Sequence, residues 1–389
     1  MSKTILRSVL HFSHDNRVLG KFYGTNNTPT VIVIAGIHGN EKAGVRAAQL
    51  VIDKIKRDHI KFNGNLHIIL GNINALNKGI RFEDEDLNRV WRNGDINSLK
   101  NKDTKKSLES REQKDIYLVI QEILKEPGPF YFLDMHTTSA SSVPFITISD
   151  SLNNRKFSSN FPIPVVLGIE EYLDGPLLSF INEYGHIALG FEGGAHHDES
   201  SIVSCEAFIW KALVHSKCIE ASNIPDYLHY ENVLKNLCCE YQFFEIKYRY
   251  QVNEKEHFEM LKGFENFETI RKDQTLAISN GVEIYAPDSG RIFMPLYQKL
   301  GEDGFFILNK ISKFWLGASL TARKLKINHF LRLIPGVNKD PENNYTLIVD
   351  PHIAKFMTKE IFHLFGYRQQ ILKDEKLHFI KRDRRITEL

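Results

Sequence analysis

The residues best placed to do chemistry in this chain cluster in a few short stretches. The run VIVIAGIHGNEKAG (31–44) carries β-branched apolar residues into His38, set between Gly36 and Gly39, with Glu41 three positions on. At a strand-to-helix turn, this H-x-x-E spacing lets an imidazole and a carboxylate converge on one ion. A third ligand, His136, closes another apolar run, PFYFLDMH (129–136). Two histidines and a glutamate form the ligand set of a catalytic zinc site that leaves one position open for water. Zinc lowers the pKa of that water and polarises a carbonyl. The competing reading is a surface histidine beside a helix-capping glutamate.

A second group follows in RFEDEDLNRVW (81–91). Arg81 and Arg89 offer planar, bidentate forks for a carboxylate or an oxyanion, and Asn88 adds a neutral donor. Alternatively, the arginines pair with the local acids Glu83, Asp84, Glu85 and Asp86. Glu192 follows the apolar run IALGF, so it stands at the end of a buried strand. A carboxylate there is costly unless paired or functional, and it could act as general base toward a metal-bound water. His196 and His197 come just beyond it in AHHDES, and surface exposure is the favoured reading for both.

These residues need a scaffold that brings strand ends together. Apolar runs at 30–37, 65–74, 129–136, 163–169 and 185–194 read as strands. Helical patterns at 41–58, 114–126 and 200–216 alternate with them. In the first helix, Val45, Ala48, Val51, Ile52 and Ile55 form one apolar stripe. The polar stretch around 94–112 reads as a loop. Such alternation implies an α/β sheet with helices on both faces, whose ligands bind beyond the carboxyl ends of the strands. After a helical pattern at 226–238, the texture becomes mostly β over roughly 240–345. NG (280–281) and DSG (288–290) are hairpin signals there. The segment 351–372 is apolar at helical spacing and reads as a terminal helix.

Composition excludes several classes. Fifty basic and 48 acidic residues leave a net charge of +2, which gives no global footprint for nucleic acid. The basic run KRDRR (381–385) reads as a solvated tail. Cys205, Cys218, Cys238 and Cys239 show no metal-binding or framework spacing and read as reduced thiols. The first 20 residues lack a continuous apolar core of a signal peptide, and no window approaches about 18 uninterrupted apolar residues. The expected setting is cytoplasmic, with a small-molecule substrate, no nucleic acid and no membrane, and a homo-oligomer is compatible with the chain.

Taken in order, GIHGNEKAG, RFEDEDLNRVW, LDMHTTS and FEGG resemble the succinylglutamate desuccinylase/aspartoacylase family, a branch of the zinc carboxypeptidase-like hydrolases. The resemblance covers roughly residues 28–215 and extends more loosely through APDSGRIFMPL. It implies an α/β fold, with a mixed central sheet flanked by helices and a smaller C-terminal β-rich domain. The catalytic domain would span 1–225, and the β-rich domain with its terminal helix 226–389. It implies one zinc ion (Zn2+) per chain bound by His38, Glu41 and His136, with Asp134 orienting His136 and Glu192 as general base. Arg81, Asn88 and Arg89 would bind substrate and stabilise the oxyanion, and Tyr297 would reach in from the C-terminal domain.

The activity implied is hydrolysis of an amide bond in a small N-acyl amino acid or related amide, a carbon–nitrogen bond other than a peptide bond. One departure stands out. Aspartoacylases grip an acidic moiety with an arginine shortly before the general base, but SFINEYGHIALGFEGG (179–194) contains no arginine or lysine. The alternatives are a carboxypeptidase-like amidase acting on short peptides and a non-catalytic anion- or nucleotide-binding protein. Against the latter, the chain has neither a G-K-[ST] phosphate loop nor a G-x-G-x-x-G turn.

Overall fold

In the computed structural model, which describes residues 11–92, 96, 107–237, 242–253, 255–298, 301–353, 358–373 and 375–387, the first apolar runs are strands. Strand β1 is Val18–Phe22 and β2 is Thr30–Ala35, the latter buried at every position. Helix α1, Lys42–Arg57, follows, and strand β3, Asn65–Leu70, is again buried throughout. Helix α2 is Leu108–Ile123, strand β4 Phe130–Thr138, strand β5 Ile187–Ala195 and helix α3 Glu199–His215. Continuous β-branched runs give strands covered on both faces, because the pleat turns alternate side chains to opposite sides and both sides are apolar.

The chain divides into two compact units. One comprises Met1–Thr137, Gly175–Leu177 and Phe191–Val233. The other comprises Thr138–Asp174, Leu178–Gly190 and Leu234–Leu389. In the first unit the strand order is β1-β3-β2-β4, with β5 next to β4. Strand β1 runs antiparallel to β3, whereas β2 is parallel to both β3 and β4, so the sheet is mixed. The register pairs Ile34 with Asp134 and Ala35 with Met135. The turn that leaves β2 and the last residues of β4 therefore emerge at one carboxyl edge. Helix α1 turns Val45, Ala48, Val51, Ile52 and Ile55 inward, all buried. Each such Val or Ile contributes about 1.5–3 kcal/mol of burial free energy.

In the second unit, Phe145–Ile148, Val165–Leu167 and Phe243–Gln251 pair in parallel. Asp303–Lys310, Gly290–Phe293 and Thr269–Ile270 continue antiparallel. Two smaller antiparallel sheets also belong to this unit, one of three strands and one of four. The NG turn makes a tight hairpin: Asn280 and Gly281 both have positive φ, and Ser279 pairs with Val282. The DSG turn does not make one. It carries the chain from Val282–Tyr285 in the three-stranded sheet to Gly290–Phe293 in a different sheet.

Three further expectations need correction. Helix α2 begins at Leu108, inside the stretch read as a loop, because the Ser107 hydroxyl caps it by accepting the Ser110 N–H. The terminal segment is helical only over Thr358–Leu364. Gly366, in the left-handed region, ends that turn, and Tyr367–Lys373 then pairs antiparallel with Lys376–Lys381. The basic run 381–385 is not a solvated tail. The side chain of Arg382 is buried against Asp150, Glu170 and Glu171. Cys205 and Cys218 are free and buried, whereas Cys238 and Cys239 lie outside the described residues. Among the described residues, no helix is long and apolar enough to cross a membrane.

Candidate active site

The turn after β2 bends at Gly36, whose φ of +77° lies in the left-handed region that favours glycine. Gly39 lies so close to the backbone of Ala75 that a Cβ would sit 2.0 Å from its carbonyl carbon. The close approach also lets the Gly39 N–H donate to the Arg81 carbonyl at 3.1 Å, which ties the two motifs together. His38 and Glu41 leave this turn pointing inward and are buried. Glu41 occupies the N-cap position of α1 but makes no side-chain capping bond. The reading of a surface histidine beside a capping glutamate therefore falls.

The Glu41 carboxylate instead gathers two imidazoles. His38 Nδ1 lies 2.7 Å from Glu41 Oε1, and His136 Nδ1 lies 3.0 Å from Oε2. The Thr137 N–H donates to the same Oε2 at 3.0 Å. Ligand atoms of His38, Glu41 and His136 all lie within 4.8 Å of one another. Each ring has a further carboxylate at its back: Asp134 Oδ2 lies 2.8 Å from His136 Nε2 as a charge contact, and Asp86 Oδ1 is hydrogen-bonded to His38 Nε2 at 3.0 Å. Such a partner fixes ring orientation and raises the basicity of the nitrogen that faces an ion. Two Nδ1 atoms and a carboxylate converging at one point suit zinc, and the backing carboxylates complete the arrangement.

Electrostatics follow from this packing. Burial pushes Glu41 up, but His38 and His136 outweigh it and hold the carboxylate well below its ordinary range. Burial pushes His136 down, but Asp134 and Glu41 overcome it, so the ring titrates well above the usual imidazole value. At Glu192, near the end of β5, burial wins. It drives the carboxyl up to about 8, opposed by His136 and Arg81 and reinforced by Glu41 and Asp134. Glu192 Oε2 is buried and has no hydrogen-bond partner among the described residues. A carboxyl shifted toward neutrality by burial, within the field of these charged side chains, has the properties of an acid–base group. The neighbouring Cys205 thiol is pushed up by burial, with Glu192 and Glu41 adding to the effect, so it is no nucleophile.

Arg81 does pair with a local acid, but at the centre of this cluster rather than on the surface. One guanidinium nitrogen is 2.9 Å from Asp86 Oδ2 and another 3.4 Å from Glu41 Oε1. Asn88 accepts the Leu177 N–H on its side-chain oxygen, and its own N–H donates to Asp86. Arg89 donates to the Asn88 carbonyl, and its charge helps hold Asp86 low. His196 departs from expectation. It is half-buried, with Nδ1 2.8 Å from the Thr137 hydroxyl beside His136, whereas His197 is exposed. Tyr297 belongs to the second unit, where its hydroxyl donates to the Leu261 carbonyl and accepts the Phe264 N–H.

Two functional supports escaped the sequence reading. Asp86 was legible only as one acid among four, yet it is the residue that backs His38. Glu109, fully buried on α2, accepts from the N–H groups of Glu83, Asp84 and Glu85 and from Asn72 Nδ2. It pins the segment that carries Arg81 on one side and Asp86 on the other. No local pattern marks it, because its partners lie 24 to 37 positions away.

Comparison with known proteins agrees with this architecture. Residues 27–202 match the model of the succinylglutamate desuccinylase/aspartoacylase catalytic domain. A succinylglutamate desuccinylase from Paraburkholderia xenovorans (strain LB400) is 26% identical over 113 residues, covering 29% of this chain and 32% of that protein. The alignment thus spans about a third of this curated relative. Among solved structures, a succinylglutamate desuccinylase from Vibrio parahaemolyticus aligns with a TM-score of 0.55 at 14% identity, over 76% of this chain and 92% of that one. A succinylglutamate desuccinylase/aspartoacylase from Rhodobacter sphaeroides gives 0.54 at 15% identity, over 75% and 88%. The mixed sheet flanked by helices is the fold of these hydrolases. The likeness to the succinylglutamate desuccinylase/aspartoacylase catalytic domain is carried by residues 27–202.

Proposed function

We propose that the protein is a zinc-dependent cytoplasmic hydrolase that cleaves the amide bond of a small N-acyl amino acid or related amide. The observation that carries this reading is the convergence of His38 Nδ1 and His136 Nδ1 on Glu41, with Asp86 and Asp134 behind the rings. His38, Glu41 and His136 would hold one ion per chain. When bound, zinc supplies a water of lowered pKa and a Lewis acid for the acyl carbonyl.

In this scheme Glu192 takes the proton of the attacking water and returns it to the leaving amine. Its raised pKa suits both halves of that exchange. Arg81 swings part of its fork from Asp86 and Glu41 toward the oxyanion as negative charge develops there. Arg89 and Asn88 bind a substrate carboxylate, for which a guanidinium and an amide are complementary donors.

The test is release of free amine from a panel of N-acetyl, N-succinyl and longer N-acyl amino acids by zinc-loaded protein, beside chelator-treated protein. Activity on at least one member that disappears with the metal is expected. A folded, zinc-loaded protein that releases no amine from any of them overturns the proposal, as does activity indifferent to the chelator.

A further inference from the structure

The basic run near the end of the chain does more than neutralise acids. Within the second unit, a cavity of about 250 Å³ is lined by Arg323, Lys326, Lys381, Arg382 and Arg384, with Asp383 as the one carboxylate on its wall among the described residues. These cations come from the end of helix Lys313–Lys324, the residue two beyond it, and the strand Lys376–Lys381 with the segment that follows. They meet because Lys376–Lys381 pairs in the four-stranded sheet and the chain then runs on past Asp150 and Glu170.

Charge matching here is incomplete. Arg382 is neutralised by Glu170, Glu171 and Asp150. Arg323 takes both oxygens of Asp383, Nε to Oδ2 at 2.9 Å and one Nη to Oδ1 at 3.0 Å, and it also reaches Asp150 at 3.4 Å. Asp383 Oδ1 further accepts the Leu152 N–H. Asp383 is therefore occupied. Lys326 and Lys381 have no ion-pair partner among the described residues. Arg384 meets the Glu183 carbonyl at 3.2 Å and the face of Tyr345 at 5.4 Å.

Burial pushes the Lys381 ammonium down. Asp383 offsets part of that, and Arg323, Lys326 and Arg332 push it further down. Burial also pushes Arg384 down, with Arg368 adding to it and Glu183 opposing it. Gathering surplus cations around a partly enclosed space is unfavourable unless an anion joins them.

We infer that this cavity binds a small multivalent anion of phosphate or polycarboxylate type. Its size admits one small molecule and excludes a polymer, and Lys326 and Lys381, which have no ion-pair partner among the described residues, together with Arg384 present cationic donors to it. Guanidinium and ammonium donors serve both oxyanion chemistries. The site owes nothing to the metal ligands or to Glu192.

Isothermal titration of the full chain with inorganic phosphate, and separately with citrate, at fixed ionic strength in chloride tests this. One site per chain is expected for at least one of them, and the tighter of the two identifies the ligand chemistry. Lys326→Gln, at an exposed position, should weaken binding by about tenfold, and Lys381→Gln with Arg384→Gln should abolish it. His38→Ala should leave it unchanged. Absence of saturable binding to folded wild-type protein overturns the inference. So does binding that survives in the Lys326 variant unaltered, or binding lost in His38→Ala, which would move the anion to the metal ligands. Should the double variant fail to fold, the Lys326 and His38 arms still decide.

Discussion

Glu109 should matter to the site without touching it, and the effect can be worked out from its contacts. Oε1 accepts the Glu83 N–H at 2.8 Å and Asn72 Nδ2 at 2.9 Å. Oε2 accepts the N–H groups of Asp84 at 3.0 Å and Glu85 at 3.3 Å. Glu109→Gln replaces one oxygen with an amide that cannot accept. Whichever oxygen is kept, two donors lose their acceptor. A buried donor left unpaired costs about 1–3 kcal/mol.

The segment 83–85 is only partly buried, so water can relieve some of this, and the lower end applies. The expected local destabilisation is about 2–3 kcal/mol, which is about a 30- to 150-fold rise in opening. Hydrogen exchange read by mass spectrometry on a peptide spanning 80–90 should show that acceleration at Glu83, Asp84 and Glu85, while α1 stays protected. Because Arg81 and Asp86 flank the pinned segment, zinc affinity should fall as well. Wild-type exchange at 83–85 in the Gln variant would refute the argument, since it would mean that the carboxylate is not holding these amides.

Three other outcomes are expected. His38→Ala should purify without stoichiometric zinc by elemental analysis while keeping its far-ultraviolet circular dichroism; retention of one zinc per chain would remove His38 from the ligand set. Glu192→Gln should keep its zinc and lose about 10²–10⁴-fold in turnover on any substrate identified, the usual contribution of a positioned acid–base group; zinc lost together with activity would make Glu192 a ligand or a support instead.

The last outcome concerns Asp150. Burial pushes this carboxyl up, but Arg155, Arg323 and Arg382 outweigh it and hold it well below its ordinary value. Its folded pKa is thus depressed, so its contribution is fully present above the unfolded value of about 4 and is lost as pH falls below that. Asp150→Asn should cost about 3–5 kcal/mol near neutrality, as breaking a buried ion pair does. The gap in urea midpoint from wild type should narrow as pH drops below about 4, and a gap constant from pH 7 to pH 3 would refute the assignment.

What the sequence determined by itself is local. Thr30–Ala35, Asn65–Leu70 and Phe130–Thr138 are strands because their β-branched and aromatic runs suit a sheet covered on both faces. The pairing of His38 with Glu41 was legible because the two are three positions apart, and the NG hairpin because its turn residues are adjacent. His136 could be placed beside them because parallel pairing brings strand ends to one edge.

Only the tertiary structure decided the rest. Asp86 backs His38 across 48 positions, and Glu109 holds a loop some 25 positions before it. KRDRR has the same local pattern whether solvated or paired. Its Arg382 side chain is buried because carboxylates from 150, 170 and 171 meet it across more than 200 positions of chain. The apolar tail could satisfy a helix or a strand: Thr358–Leu364 is helical, and pairing with Lys376–Lys381 makes Tyr367–Lys373 a strand. Charge pairing and sheet membership depend on which distant segments arrive nearby, and local residue patterns do not encode that distance.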